Sequence, residues 1–357
     1  MTTQAIDTAK AAAFAGRMLE VINAAALAQQ MSLGHHAGLF DALATLPPAT
    51  SEQIAAATGL NERYVREWLA SMVTGRVVAY DPARRTYRLP PEHAGSLTRA
   101  AGPGNLAAFT QFFPEFGKVQ DQLLEAFRNG GGVPYSAYPR FQEQMRELSG
   151  MIFDASLLEG TLKLVPGLTE QLEAGIDVAD IACGSGHAIN LMARAYPNSR
   201  FTGYDFSDDG LAAARAEAED WGLTNAQFVA QDVAALDAQE AYDFITIFDA
   251  IHDQAQPRAM LKNVHAALRP GGTFLAVDIA ASSNLEENLE HPLATTMYTI
   301  STWHCMTVSL AYGGEGLGSM WGEQTARELL AEAGFTLQAV KQVEGDVFNT
   351  YYLCTKD

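Results

Sequence analysis

The second half of the chain alternates between short apolar runs and amphipathic segments. Apolar runs of strand length occur at 176–182, 200–204, 226–230, 242–248, 273–279, 335–342 and 348–355. Helical periodicity lies between them, at 186–196, 208–221, 256–268 and 323–333. Because strands that alternate with helices pair in parallel through crossover connections, this pattern predicts an α/β fold with a mostly parallel sheet and helices on both faces.

The N-terminal region has a different pattern, which is helical and ends in a hairpin. It predicts helices at 8–31, 35–44, 52–58 and 62–73, followed by a hairpin over 77–89. Ser51 and Asn61 are the expected N-caps of the third and fourth helices. A helix-turn-helix followed by a hairpin is typical of a winged helix, whose second helix either reads DNA or belongs to a dimerisation scaffold. The Ala-rich first helix carries few charges, so we expect it to pack on another domain or subunit.

Composition restricts the kinds of partner. The chain of 357 residues has a net charge of −19, which opposes long-range attraction to nucleic acid. Its three cysteines are far apart and show no metal-ligand spacing, so we expect reduced thiols in a cytoplasmic protein and no bound metal. Residues 1–10 lack the pattern of a secretory signal, and no apolar run reaches membrane-spanning length. We therefore expect neither a cleaved leader nor a membrane segment.

A glycine-bearing loop follows the first predicted strand of the α/β region, in the stretch IDVADIACGSGHA (176–188). Small residues there let backbone amides approach a ligand at the positive N-terminus of the next helix. Asp205 closes the second strand, where a carboxylate can accept hydrogen bonds from both hydroxyls of a ribose. Asp232 follows the third strand and is placed to receive an adenine amino group. Ile189 stands where a dinucleotide loop has its third glycine, which argues against a nicotinamide enzyme.

The loop, the two later acids and LRPGG at 268–272 together resemble class I S-adenosylmethionine-dependent methyltransferases. The resemblance implies a Rossmann-like sheet of seven strands whose last strand is antiparallel, with S-adenosyl-L-methionine as the cofactor. The cofactor-binding residues that it implies are Asp180, Ala182, Gly184, Gly186, Asp205, Phe206, Gln231, Asp232, Val233, Phe248 and Asp249. Ala182 and Cys183 stand where many members have glycine, which predicts an altered fit around the cofactor.

The stretch YDFITIFDAIHDQAQ (242–256) ends a strand-like apolar run on His252 and Asp253. The fourth strand of such a sheet ends beside the reactive end of the cofactor. An imidazole, with an ordinary pKa of about 6.5, is suited to removing a proton from a hydroxyl. This part of the chain resembles small-molecule O-methyltransferases of the caffeate and hydroxyflavonoid type, which implies that His252 is the general base and that Asp278 and Glu323 flank it.

The alternative is that His252 only caps the strand, with both acids solvated. A carboxylate on one imidazole nitrogen would fix the tautomer and stabilise the imidazolium, so three matched positions on three segments favour catalysis. The plant enzymes of the caffeate and hydroxyflavonoid type have Trp-Ser where this chain has Gln254-Ala255. They have lysine where this chain has Phe248. These differences leave the acceptor open.

The substrate is expected to lie between two segments rich in aromatic residues. Residues 280–322 form an insertion, and 295–321 within it combine Met, Tyr, Trp and His, which suits a flat, mostly apolar ligand or equally a buried dimer contact. The candidate substrate-binding residues are Phe112, Phe113, Tyr135, Tyr138, Met297, His304 and Met306. His304 is also a second candidate for the base.

These patterns predict an enzyme, an S-adenosylmethionine-dependent O-methyltransferase that acts on a small aromatic or polyketide-like hydroxyl. Methylation of nitrogen, sulfur or carbon is an alternative. So is a transcriptional regulator that senses the cofactor and binds DNA through 50–89, although the acidic balance argues against it. We expect a winged-helix dimerisation domain at 1–95 that joins a homodimer, a helical linker or substrate lid at 96–165, and a methyltransferase domain at 166–357.

Overall fold

The computed structural model describes residues 6–343, 346 and 348–357 and divides into two compact units, Met1–Glu115 and Phe116–Asp357. Residues 1–5, which contributed to the expectation of no secretory signal, lie outside the described part.

The first unit consists of helices and a short antiparallel hairpin. Its helices are α1 (Thr8–His36), α2 (Leu39–Thr45), α3 (Ser51–Thr58), α4 (Glu62–Thr74), α5 (Pro91–Ala94) and α6 (Leu106–Phe109), and its strands are β1 (Ala79–Asp81) and β2 (Thr86–Arg88). Tyr80 pairs with Tyr87 across the hairpin. Trp68 and Leu69 of α4 pack with Phe40 of α2 in the buried core. The predicted helices and hairpin are confirmed.

Some helix boundaries in this unit differ from the predicted ones. Thr50, rather than Ser51, caps α3, because its hydroxyl accepts a hydrogen bond from the N–H of Gln53 (3.4 Å) and the side chain of Gln53 accepts one from the N–H of Thr50 (2.9 Å). This reciprocal capping box satisfies two backbone donors. The first helix also continues beyond residue 31 to His36, and the second therefore begins at Leu39 rather than at the predicted residue 35. Gly34 lets the last part of the first helix pack against Trp68, since a Cβ there would come within 2.4 Å of the indole.

α1 presents an exposed apolar surface. The side chains of Phe14, Leu19 and Ile22 are 62%, 65% and 63% exposed. By length and composition alone this helix could cross a membrane, and none of the qualifying segment is buried in the structure. The sequence pattern had indicated no such segment. Apolar helices of this length and composition also occur in the cores of soluble proteins.

The second unit is an α/β sandwich preceded by helices. Its helices, after α7 (Phe112–Gly117) at the unit boundary, are α8 (Gln120–Asn129), α9 (Phe141–Ser156), α10 (Leu168–Ala174), α11 (His187–Ala195), α12 (Asp208–Asp220), α13 (Pro257–Ala267), α14 (Ala294–Ile300), α15 (Met306–Ala311) and α16 (Gly322–Glu332). Its strands are β3 (Asp177–Ile181), β4 (Arg200–Asp205), β5 (Ala226–Ala230), β6 (Tyr242–Phe248), β7 (Leu268–Ile279), β8 (Thr336–Lys341) and β9 (Asn349–Thr355).

Among the described residues, these strands form one sheet of seven in the order β5-β4-β3-β6-β7-β9-β8. β3 to β7 pair in parallel, and β9 runs antiparallel to both β7 and β8. Phe244, Ile245 and Ile247 of β6 have no exposed area, as a strand covered on both faces requires. The predicted α/β sheet with an antiparallel last strand is confirmed. β7 begins at Leu268, earlier than predicted, because Leu268 already pairs with Tyr242.

The strand order fixes where a ligand can bind. From β3 the chain builds outward through β4 to β5 and then returns to add β6 on the other side of β3. This reversal leaves a crevice at the carboxyl ends of β3 and β6, which is the ligand-binding position in open α/β sheets. The glycine-bearing loop and the segment that contains His252 both follow these two strand ends.

Candidate active site

A cavity opens at the carboxyl ends of β3, β4 and β6 and holds about 860 Å³ of empty space continuous with solvent. One wall consists of the loop Ala182–Ser185 after β3, with Asp205 at the end of β4 and Phe206 directly after it. The segment from Phe248 to Gln254 contributes a second wall. The third is helix α9, whose lining residues are Phe141, Gln142, Met145, Arg146, Ser149 and Phe153. This concave wall of backbone, aromatic and charged groups is typical of a small-ligand site.

Hydrogen bonds within the protein hold the loop after β3 against Asp205. The backbone N–H of Gly184 donates to Asp205 Oδ2 (2.8 Å), and that of Ser207 donates to Oδ1 (2.7 Å). Ala182 has a left-handed backbone with φ of 56°, a conformation that costs a non-glycine residue about 1–2 kcal/mol. The methyl group that replaces the usual glycine therefore carries backbone strain at the cavity wall, where strained residues tend to collect.

Buried carboxyl groups surround the cavity. Burial raises the pKa of Asp180 to about 7, against the lowering effect of a hydrogen bond from the Thr246 hydroxyl (2.7 Å). Burial and then the charge of Asp278 raise the pKa of Asp249 to about 7. Burial raises the pKa of Asp253 to about 6, although His252 counteracts it. A cation placed here would favour the ionised form of each group.

The predicted cofactor-binding residues fall into two groups. Those that line the cavity are Asp180, Ala182, Gly184, Asp205, Phe206, Phe248 and Asp249. Those outside its wall are Gly186, Gln231, Asp232 and Val233. Asp232 accepts a hydrogen bond from the N–H of Ala234 (2.9 Å), and Gln231 donates to the carbonyl oxygen of Ala235 (2.9 Å). In this structure both side chains thus hold the short turn Val233–Ala235, whose first residue is buried.

His252 is buried just beyond β6 and is held by Asp278 at the end of β7. Its Nδ1–H donates to Asp278 Oδ1 (2.6 Å), which also accepts a bond from the Trp321 indole N–H (3.1 Å) and from the N–H of Ile279 (2.8 Å). Burial alone would lower the pKa of His252, but the Asp278 carboxylate reverses this and raises it well above 6.5. The Cys305 thiol also interacts with the imidazole and adds to the rise. This arrangement fixes the tautomer and leaves Nε2 as the basic nitrogen.

Glu323 makes no hydrogen bond to this pair among the described residues. Its carboxylate accepts a hydrogen bond from Arg327 (2.7 Å) on the same helix, and its side chain is 40% exposed. Trp321 and Cys305 take the places next to the His252–Asp278 pair, and sequence reasoning missed both. An indole just before a helix has one N–H that needs an acceptor when buried, which is the signal that could have singled out Trp321.

The candidate substrate-binding residues are also divided. Tyr135 lines the cavity and its hydroxyl donates to the carboxylate of Asp253. Tyr138, Met297 and His304 are buried in the same unit outside the cavity wall, and Met306 is partly buried there. Phe112 and Phe113 belong to the first unit.

Two basic side chains of the cavity were not predicted. Arg146 on α9 is the one arginine among the described residues that line it. His187 begins α11, and its two ring nitrogens contact Glu217 (2.8 Å) and Asp154 (3.0 Å). This imidazole therefore links α9 and α12 beside the glycine-bearing loop. No motif marks either residue, because their position depends on how α9 packs.

Comparison with known families divides the chain in the same way. A family model described as "Rv2258c-like winged HTH domain" matches residues 25–99, and one described as "Methyltransferase domain" matches residues 172–334. The second unit carries a methyltransferase domain. The predicted resemblance, a methyltransferase fold preceded by a winged helix, is confirmed.

Relatives of this methyltransferase domain act on different molecules. A trans-aconitate 2-methyltransferase of Paracidovorax citrulli is 31% identical over 132 residues, which are 36% of this chain and 46% of that protein. The chain spans about half the length of the first curated relatives that it matches.

Solved structures match over nearly the whole chain. A candidate O-methyltransferase of Nostoc punctiforme has a TM-score of 0.74 and 19% identity, over 96% of this chain and 98% of that one. Human N-acetylserotonin methyltransferase, in complex with S-adenosylmethionine, has a TM-score of 0.68 and 18% identity, over 100% of this chain and 99% of that one. At these identities the likeness is one of fold.

Proposed function

We propose that the protein is an S-adenosylmethionine-dependent methyltransferase that transfers a methyl group to the hydroxyl of a small aromatic or polyketide-like molecule. The observation that carries this proposal is the buried His252–Asp278 pair (2.6 Å) directly after the strand that ends at the cavity. Only an acceptor that must lose a proton gives such a base a role. The match of the domain to methyltransferases and the O-methyltransferase folds among its structural neighbours support the choice.

The residues at the cavity fit S-adenosylmethionine. Asp205 lies at the wall, where its carboxylate retains lone pairs for ribose hydroxyls beside the two backbone bonds that it accepts. Asp249 and Asp253 would complement a sulfonium, and Arg146 would hold the carboxylate of the methionine part. The human structural neighbour was solved in complex with the same cofactor.

The role of the chain's own residues would be to remove the proton of the acceptor hydroxyl. S-adenosylmethionine supplies, when bound, a methyl group on an already activated sulfonium. His252 takes the hydroxyl proton at Nε2, because Nδ1 is bonded to Asp278. The carboxylate stabilises the imidazolium that forms, and the N–H groups of Trp321 and Ile279 keep that carboxylate in place. Positioning of the acceptor in line with the methyl group supplies the rest of the rate.

A methyl-transfer screen with labelled cofactor tests the proposal. The panel contains phenol, catechol, 1-naphthol, benzenethiol, aniline and benzoate. We expect label on the phenols. Transfer mainly to the amine or the thiol would favour the alternative chemistries instead, and transfer to none of them by the folded protein would contradict the proposal.

Replacement of Asp205 by alanine is expected to weaken binding of S-adenosylhomocysteine by about 1.5–3 kcal/mol, the range for a hydrogen bond to a charged group. Calorimetry measures the affinity, and the melting temperature controls for loosening of the loop, since Asp205 also holds the N–H of Gly184. Asp205→Asn keeps the shape of the side chain and one acceptor oxygen. Its affinity for S-adenosylhomocysteine should therefore lie between those of the wild type and Asp205→Ala. Unchanged affinity in a folded Asp205→Ala variant would remove this residue from the site.

We infer that the chain forms a homodimer through its first domain. The exposed apolar side chains of α1 support this, because such a surface is unfavourable in water. On α4, Arg63 pairs with Glu67 and Arg66 pairs with Glu62, which leaves little free positive charge for DNA. A scaffold role therefore fits the winged helix better than DNA reading.

Light scattering of the wild-type protein at micromolar concentration should give the mass of a dimer. Leu19 and Ile22 lie three residues apart on one face of α1, so Leu19→Glu with Ile22→Glu should shift the mass toward the monomer. Gln29→Glu, an exposed position on the same helix, adds charge without removing apolar surface and serves as the matched control. A monomeric wild type would contradict the dimer.

We also propose a cytoplasmic location and three functional parts, 1–95, 96–165 and 166–357. The three cysteines, which are free thiols in the structure, support a reducing compartment. The contribution of α9 to the cavity wall supports the middle part as a substrate lid.

A further inference from the structure

His304 lies in a π-helical turn, Ser301–Cys305, between α14 and α15. Turns of this kind are rare and are frequently found at functional sites, because one extra residue per turn re-aims the side chains. Here the turn buries His304 completely, with 0% exposure, and buries Cys305 beside it. Since Cys305 interacts with the imidazole of His252, the turn also brings His304 close to the proposed base.

Both ring nitrogens of His304 lack a hydrogen-bond partner among the described residues. The surroundings are aromatic: Phe141 stacks on the imidazole with 3.6 Å between ring centroids, and Tyr138 and Tyr135 stand at steep angles at 4.9 and 5.3 Å. The hydroxyls of these two tyrosines are bonded elsewhere, to a backbone carbonyl oxygen and to the carboxylate of Asp253. Nothing described in this cage satisfies the imidazole.

Such a group needs an explanation, because buried polar atoms in folded proteins almost always have a partner. An ordered water would itself require several polar partners, whereas the side chains around this imidazole are mainly aromatic. Burial and the neighbouring His252 lower the pKa of His304 to about 3. The ring is therefore neutral and has one N–H donor and one lone pair to offer a ligand.

We propose that His304 binds the methyl acceptor by hydrogen-bonding a second oxygen substituent of the same molecule whose hydroxyl is deprotonated by His252. This inference rests on the proposed function and names its substrate class, a planar phenol that carries a further hydroxyl or carbonyl group. A hydrogen bond to an imidazole forms in the plane of the ring. Phe141 stacks on one face of His304, so the proposed ligand oxygen would meet a ring nitrogen in the plane of the imidazole.

The experiment compares wild type, His304→Leu and His304→Gln. In His304→Leu the melting temperature should rise, because two unpaired buried polar atoms are removed. The KM for catechol should increase about tenfold, the loss expected for one hydrogen bond, while kcat and the KM for the cofactor change little. The preference for catechol over phenol that the wild type shows should be absent in His304→Leu. His304→Gln, which keeps a donor and an acceptor, should recover part of that preference, and Met320→Leu, buried in the same insertion, is the matched control.

Two outcomes overturn the inference. One is a His304→Leu variant that melts below the wild type, since the imidazole would then be a satisfied structural group. The other is a stable variant with an unchanged preference for catechol over phenol. If the wild type transfers no methyl group to any compound, the proposed function fails. Calorimetric binding of catechol and phenol to the complex with S-adenosylhomocysteine then decides the role of His304 by the same comparison.

Discussion

Replacement of His252 by alanine is expected to lower kcat by a factor of about 10²–10⁴, the usual cost of losing a positioned base. The affinity for S-adenosylmethionine should change little, because the imidazole lies outside the cavity wall that contains the predicted ribose acid Asp205. Single-turnover kinetics with the best phenol of the panel, together with calorimetry for the cofactor, measure the two effects separately.

Two variants control this result. Asp278→Asn should lower kcat less than His252→Ala does, since it disturbs the orientation of the imidazole but leaves the base present. His265→Ala removes an imidazole that packs on Phe335 with 5.0 Å between ring centroids, away from the site, and should leave turnover unchanged. Near-normal turnover in His252→Ala would falsify the assignment of the base and leave proximity as the main source of catalysis.

The pH profile gives an independent check of the same pair. His252 acts only when neutral, so wild-type activity should rise as pH increases through its pKa, which the Asp278 carboxylate holds well above 6.5. In Asp278→Asn that carboxylate is gone while burial still lowers the pKa, so the limb should move to lower pH. An unmoved limb in kcat/KM would show that another group titrates.

Gly186→Ala is expected to have the second large effect, on stability. The backbone of Gly186 has φ of 68°, and a Cβ there would lie 2.5 Å from both Ala214 Cβ and Phe228 Cε1. Left-handed backbone costs about 1–2 kcal/mol for alanine, and overpacking of a core adds about 1–3 kcal/mol. The free energy of unfolding in urea should therefore fall by about 2–5 kcal/mol, and cofactor binding should suffer because the loop before α11 is displaced.

Gly222→Ala separates backbone strain from the steric clash. Gly222 has φ of 65°, yet a Cβ there would meet nothing within 4 Å. Gly222→Ala should lower the free energy of unfolding only by the cost of the left-handed backbone, about 1–2 kcal/mol. Equal losses in the two variants would mean that the contacts of Gly186 with Ala214 and Phe228 adapt at no cost.

The sheet was predictable because parallel strands covered on both faces leave long apolar runs, and β6 is such a run. The glycine-bearing loop and Asp205 were predictable for a related reason, since the loop directly follows β3 and Asp205 is the last residue of β4. The wall formed by α9 was not. The amphipathic pattern of α9 predicts that one face of the helix is buried. It does not identify which part of the protein covers that face.

The surroundings of His252 show the same limit at the level of single residues. Asp278 could be expected because β7 lies next to β6, which brings their ends together. Trp321 comes from 43 positions further along the chain than Asp278, and no local pattern encodes that contact. Glu323 has a local partner in Arg327, four residues away, and such i,i+4 pairs are easily formed on a helix. The long-range role expected for Glu323 competes with this short-range pair.

The position of β9 has a consequence for the newly made chain. β9 lies between β7 and β8 although the ribosome makes it after both. Until Asn349–Thr355 has emerged, the two neighbouring strands have unpaired edges, and the space for Tyr351, Tyr352 and Cys354 is empty. Unpaired strand edges invite pairing with other chains. Translation that stalls before Asn349 should therefore yield a product that depends on chaperones or aggregates, even though the whole glycine-bearing loop and the His252–Asp278 pair have already been synthesised.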